Sequence, residues 1–299
     1  MTNTLSCTLH TRAVRDPQVF FYQKSMFYLC LPFVFECGYR SILPCVDIPR
    51  LCLFNVWGNN VLFGRASAFI GEWCWMLQIS LALRNILDGL DSRKALWLNK
   101  LCTGLSVSLP ALCLLAECLG TAGPVTTNNL WCIWEAVTWT TMFTIATGCA
   151  VYIKLELNKL PANLFELNRD ANTFSVYLIV TGVLYVPYML AINIPMYVRR
   201  WKVRRGTRSN WTDPMRLTLC LFCRQEDEAD ASVTYLPFNE GLPDIAICHD
   251  DDDAWEKWGA DFAWMVPYFG PAVWTSIWLC KAPRIVERSD SMPLVKVGM

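Results

Sequence analysis

The chain has 299 residues, of which 54% are hydrophobic and 17% charged, where soluble domains average roughly 45–50% apolar and about 25% charged. That excess of apolar residues points toward lipid and disfavours an ordinary soluble domain. A formal net charge of zero, with no recognisable nucleic-acid motif, excludes a binder of nucleic acid. Fifteen cysteines are an odd number, and Cys30, Cys37, Cys74, Cys102, Cys113, Cys118, Cys132, Cys149 and Cys280 lie in or beside apolar runs. They read as small hydrophobes, so a disulfide framework is not required and a reducing compartment is mildly favoured.

In chain order, residues 1–24 form an N-terminal segment. Its opening, MTNTLSCTLHTRAVR, holds arginines and hydroxyls but no acid, the composition of an organelle-targeting peptide. Crossing about 30 Å of hydrocarbon takes roughly 20 mostly apolar residues. Candidate spans are 25–43, interrupted by Pro32 and Glu36; 66–87; 101–120, broken by Glu117; 136–153; 171–198; and 262–280. The fourth, fifth and sixth contain no charged residue. The expectation is an all-α polytopic transmembrane helix bundle of about six spans, with spans one to five in 25–198. A polar loop over 199–260, basic and then acidic, precedes the sixth span in 261–280 and a tail over 281–299.

The stretch 66–87 is the most informative, because Glu72, Gln78 and Arg84 interrupt an apolar helix. Its eight Leu, Ile and Phe residues favour insertion by about −2.4 to −4.8 kcal/mol, and one central charge costs about 2.5 to 3.5. The balance is near zero, so this helix needs neighbours. Gly64 with Ala68, and Ser67 with Gly71, give small residues four apart where another backbone approaches. Arg65 lies seven residues from Glu72, about 10 Å along the axis, too far for contact unless it bends inward. Glu135 has Asn128 seven residues before it and Trp131 and Trp139 a turn either side. Glu72, Gln78, Glu117 and Glu135 are therefore the candidate intramembrane polar residues, able to converge inside one bundle. Pro187, Pro195, Pro267 and Pro271 remove backbone donors and are expected to kink the last two spans.

In the polar loop, Arg199, Arg200, Lys202, Arg204, Arg205 and Arg208 form a juxtamembrane string suited to anionic lipid headgroups. Short-loop charge and this string give opposite orientations for the bundle. Asn210-Trp211-Thr212 is a glycosylation sequon, which matters only in a lumenal loop. Cys220 and Cys223 form C-x-x-C, and Cys248 and His249 add two zinc-type donors. Adjacent residues rarely aim both side chains at one ion, so a plain polar loop is expected and no metal. Asp250–Asp253 lacks the spacing of a calcium loop. No G-x-S-x-G, P-loop, G-x-G-x-x-G or H-E-x-x-H occurs, and two histidines exclude sites built on several. No catalytic residue and no cofactor are assigned.

The strings YRSILPCVDIPRLCLF (39–54), GRASAFIGEWCWMLQ (64–78) and DFAWMVPYFGPAVWTSIW (261–278) resemble a group of polytopic membrane proteins to which no activity is attached. The residues lead to an integral membrane protein acting, without catalysis, as an accessory or scaffolding component of a membrane complex. Its expected partners are the lipid bilayer, anionic lipids and other membrane protein subunits. Two alternatives stand beside it: a proton- or cation-coupled carrier or channel using intramembrane carboxylates, and a membrane-embedded lipid-modifying enzyme.

Overall fold

The structure, a computed structural model, describes residues 17–48, 50–90, 96–204, 235–247 and 269–285. The chain folds as α1 (Pro17–Ile42), a two-stranded hairpin of β1 (Cys45–Val46) and β2 (Leu51–Cys52), α2 (Val61–Gly89), α3 (Leu96–Thr126) and α4 (Asn129–Leu157). A short α5 (Ala162–Leu167) leads into α6 (Arg169–Tyr188), which passes through a π turn (Met189–Asn193) into α7 (Ile194–Arg204). A further short helix, α8 (Phe238–Asp244), and a helix over 269–279, α9, complete the described chain. The architecture is an all-α bundle in which α1 packs on α2, α2 on α3, α3 on α4 and α4 on α6.

Four helices are long and apolar enough to cross a membrane: Val61–Gly89, Leu96–Thr126, Asn129–Leu157 and the continuous run Arg169–Lys202. The expected count of about six is thus not reached among the described residues. All of the stretch 25–43 but its last residue falls in α1, where Lys24, Glu36 and Arg40 join three tyrosines and two prolines to dilute the apolar run. Of the stretch 262–280, only 269–280 is described. Pro187 and Pro195 do not break their helix. The backbone widens into the π turn between them and continues, as expected where a proline leaves carbonyls to be re-satisfied locally.

Local sequence sets the ends. Asn60 caps α2 by accepting from Phe63 N at 3.0 Å, and Asn128 caps α4 by accepting from Leu130 N at 3.0 Å, each satisfying a first-turn donor. Thr127 takes a left-handed φ of 54°, and the Asn128 N–H returns to Gly123 O at 3.1 Å. That 6→1 bond closes α3 sharply and turns the chain into α4.

One stripe of α1 is buried: Tyr22, Met26, Cys30, Phe33 and Cys37, spaced three or four residues apart as one helix face requires. Phe33 stacks on Trp75 with centroids 4.9 Å apart, and the aromatic packing continues from Trp75 to Phe143 and on to Tyr185. The small residues of α2 are used inside the chain. A Cβ on Gly71 would sit 2.6 Å from Glu36 Cβ and 3.2 Å from Pro32 O, and one on Gly64 would sit 3.0 Å from Cys45 Sγ. Large apolar side chains including Val107, Leu115, Trp134, Val180 and Val183 point outward.

Between α4 and α6 the closest approach is at Gly182, where a Cβ would overlap the Thr147 hydroxyl and lie within 3.1 Å of its methyl. Gly182→Val should destabilise the protein by about 1–3 kcal/mol through overpacking. The same change at Gly148, with nothing within 4 Å of a Cβ, should shift stability by under about 0.5 kcal/mol. Unfolding midpoints in detergent compare the two.

Candidate functional site: a charged cluster between the helices

Three of the four predicted polar residues gather at one end of the bundle. Helical rise places Glu72 about 16 Å into α2 from Val61, Glu117 about 13 Å from the C-terminal end of α3, and Glu135 about 9 Å into α4. Because α3 runs antiparallel to α2 and α4, all three lie toward the same end of the bundle, at depths within about 7 Å of one another. Gln78 does not join them. It lies deeper, donates to Met26 O at 2.7 Å and accepts from Ser276 Oγ at 2.5 Å, tying α1, α2 and α9 together.

Two arginines organise the carboxylates. Arg65 does bend inward, but toward other elements than its own: it pairs with Glu135 of α4 at 3.1 Å and with Asp47 of the hairpin. Arg40 of α1 pairs with Glu36 one turn earlier at 3.2 Å and with Glu72 of α2 at 3.6 Å. Its guanidinium also lies over the Phe269 ring, 5.4 Å from the centroid. Cys37 Sγ donates to the second Glu36 oxygen at 3.1 Å. Two glycines make the room, since a Cβ on Gly71 would collide with Glu36 and one on Gly120 with Glu135 and Arg65.

Glu117 sits between the two arginine centres, beside the Glu72 carboxyl and within electrostatic reach of Arg65, Arg40 and Glu36. It is wholly buried, no N–H or O–H of the fold donates to either of its oxygens, and the Glu72 carboxyl is the group within hydrogen-bond reach, a contact that forms when one of the two acids holds a proton. The Tyr185 ring of α6 adds a phenol within reach of Glu72 and Glu135. Exposure falls inward: Asp47 keeps 28% of its side-chain surface, Glu135 16% and Glu72 10%, while Glu36 keeps none. Five carboxyls (Glu36, Asp47, Glu72, Glu117, Glu135) thus face two guanidiniums, an excess of three acids. Among the described residues no three His, Cys, Asp or Glu groups gather as a metal site.

The hairpin is fastened over this end. Arg50, held at φ 75°, donates Nε to Pro124 O at 2.8 Å and Nη2 to Val125 O at 2.9 Å, and pairs with Asp244 of α8. These are last-turn carbonyls of α3, which a cation satisfies in charge and in hydrogen bonding. Burial pulls the Arg50 guanidinium below its ordinary value, and Asp244 with the two carbonyls offsets that cost. Two backbone bonds complete the seal, Leu62 N to Ile245 O and Leu236 N to Thr126 O.

Asn128, expected on the face of Glu135, is instead the α4 cap. Of the basic string, Arg199 is exposed while Arg200 and Lys202 are half-buried, and Arg200 lies against the Tyr197 ring. They stand at the cluster's end of the bundle, because α6 and α7 return antiparallel to α4. The Arg204 side chain, Arg205, Arg208, Cys220, Cys223, Cys248, His249 and Asp250–Asp253 lie outside what is described. Sequence reasoning missed Glu36, Arg40, Asp47, Arg50 and Asp244 as members of the site; Glu36 was read only as an interruption of the first candidate span. The signal available was YRSILPCVDIPR (39–50), which concentrates three of them in one short turn-rich string.

No family model, curated protein or solved structure matches the chain. Fold and site define a class on their own: an all-α bundle, with four helices long and apolar enough to cross a membrane, enclosing an acid-rich charged cluster.

Arg65→Met should cost about 3 kcal/mol, the low end for breaking a buried pair because Asp47 remains partly wet. The double replacement Arg65→Met with Glu135→Met should recover part of that loss, since it removes both the charge and its stranded partner. Unfolding in detergent measures both; a double variant as unstable as the sum of the single changes would remove the pairing.

Proposed function

We propose that the chain is an integral membrane protein of the coupled carrier or channel class, which takes up and releases a proton or small monovalent cation at Glu72, Glu117 and Glu135. The observation that supports this reading above others is Glu117. A wholly buried carboxyl that receives no hydrogen bond from a donor of the fold and has a second buried carboxyl, Glu72, within hydrogen-bond reach, among five acids that share two arginines, favours a proton held between the two or a bound cation. Ionisable groups facing the interior of apolar helices are the usual marks of such pathways. Asp47 and Glu135, still partly exposed, give the outer end; Glu72 and Glu117 give the inner one.

The accessory role expected from the sequence is a second reading. Its motive in the small residues of α2 weakens, because Gly64 and Gly71 are occupied by Cys45, Glu36 and Pro32 of the same chain. What favours it is α1, which exposes Phe21, Phe27 and Phe35 on a helix too polar to count among the four long apolar ones.

Purified protein in liposomes containing a pH-sensitive dye, under an imposed proton, sodium or potassium gradient, tests the proposal. Flux should fall at least about tenfold in Glu117→Gln, because an amide cannot take up and release the proton or bind the cation as the intramembrane carboxyl does, and persist in Glu240→Gln, an exposed residue of α8. An inert wild-type protein, or flux indifferent to both Glu117→Gln and Glu72→Gln, would overturn it.

A further inference from the structure

Cys45 and Cys52 are the facing pair of the β1–β2 ladder, with Val46 and Leu51 the pair beside them. Leu53 N donates to Pro44 O at 3.4 Å, so the backbone bonds flank the cysteines and 45/52 is a non-hydrogen-bonded position. In an antiparallel pair such positions bring the two Cα atoms to about 4.5 Å with both side chains on one face. That lies within the roughly 4.4–6.8 Å that a disulfide spans. Two other cysteine pairs bring their thiols together, Cys102 with Cys149 between α3 and α4 and Cys30 with Cys280 between α1 and the end of α9, but these sit on packed helices, without the fixed register of a strand pair.

We infer that Cys45 and Cys52 are a cross-strand disulfide site, which staples the hairpin carrying Asp47 and Arg50 over the charged end of the bundle. The chemistry is thiol–disulfide exchange with a small disulfide such as oxidised glutathione. The thiolate of Cys45, the more accessible of the two, attacks one glutathione sulfur and expels the other as thiolate. Cys52 then attacks the mixed disulfide at Cys45 Sγ and expels the second. One disulfide is consumed and one formed, two electrons pass to glutathione, and the two thiol protons are released. Closure leaves the backbone pairing in place, and the bond restrains the segment that supplies Asp47 to Arg65. The inference does not rest on the proposed transport activity.

Arg40, Arg50 and Arg65 make the test direct, because trypsin separates Ser41–Arg50, holding Cys45, from Leu51–Arg65, holding Cys52. Full-length protein is equilibrated in detergent across oxidised-to-reduced glutathione ratios, blocked with N-ethylmaleimide, digested and weighed. The expected result is a single linked species of these two peptides under oxidising ratios, lost on reduction and lost in Cys45→Ser. Amide exchange across 43–60 in the linked form should slow by roughly tenfold or more, as a cross-link suppresses local opening. Both peptides alkylated at every ratio, or Cys45 linked to a different cysteine, would overturn the assignment. An unchanged exchange rate in the linked form would overturn the stapling role.

Discussion

The bundle is organised by one constraint: charged groups buried between long apolar helices must find partners on one another, and all of them but Glu117 pair with an opposite charge. α2, α3 and α4 each commit a carboxylate to the interior, α1 commits a carboxylate and a guanidinium, and α2 adds Arg65. None reaches a partner within its own helix except Arg40 with Glu36. The ion pairs are therefore also helix contacts, and they fix the relative rotation of α1, α2 and α4. Removing one partner strands another in a poorly solvating interior, where stranded charge is far costlier than an absent pair.

The same constraint accounts for the connections. The hairpin between α1 and α2 buries only a small apolar cluster of its own, Val46 with Leu51, yet it brings Asp47 to Arg65 and Arg50 to the end of α3. Arg50 answers two carbonyls that helix geometry leaves unpaired, and Asp244 answers Arg50. Gly241 of α8 is required at its place, since a side chain there would overlap Val125 O. The outcome is an end of the bundle covered by polar chain, with the acids graded from partly wet to fully dry beneath it.

How much of this was legible depended on whether a signal was local. The long helices were readable from apolar length alone, and Glu72, Glu117 and Glu135 stood out because a carboxylate in such a run has no local excuse. Gln78 carried the same signal but is spent on Met26 and Ser276, and nothing in its neighbours distinguishes a pore-facing amide from a helix tie. The arginines were less visible. Arg40 and Arg50 lie beside a turn, where charge is ordinary, and their significance comes from contacts with Glu72 and Pro124, far away in sequence. Arg65 was read against Glu72 by its spacing on one helix, whereas the long side chain crosses to α4 instead. The limits of α1 were also hidden, because Lys24, Glu36 and Arg40 interrupt the run that apolar spacing suggested.

The central claim is that the acids turn inward while their sequence neighbours turn to acyl chains, and Trp134 and Glu135 put it in adjacent residues: the indole is 51% exposed and the carboxylate beside it is paired with Arg65. A benzophenone amino acid incorporated at Trp134, Leu115 or Val183 and irradiated in the native membrane reads the environment of each outward face by mass. Lipid-mass adducts at all three positions are the predicted result. Adducts confined to protein, with no lipid captured at any of the three, would contradict the account.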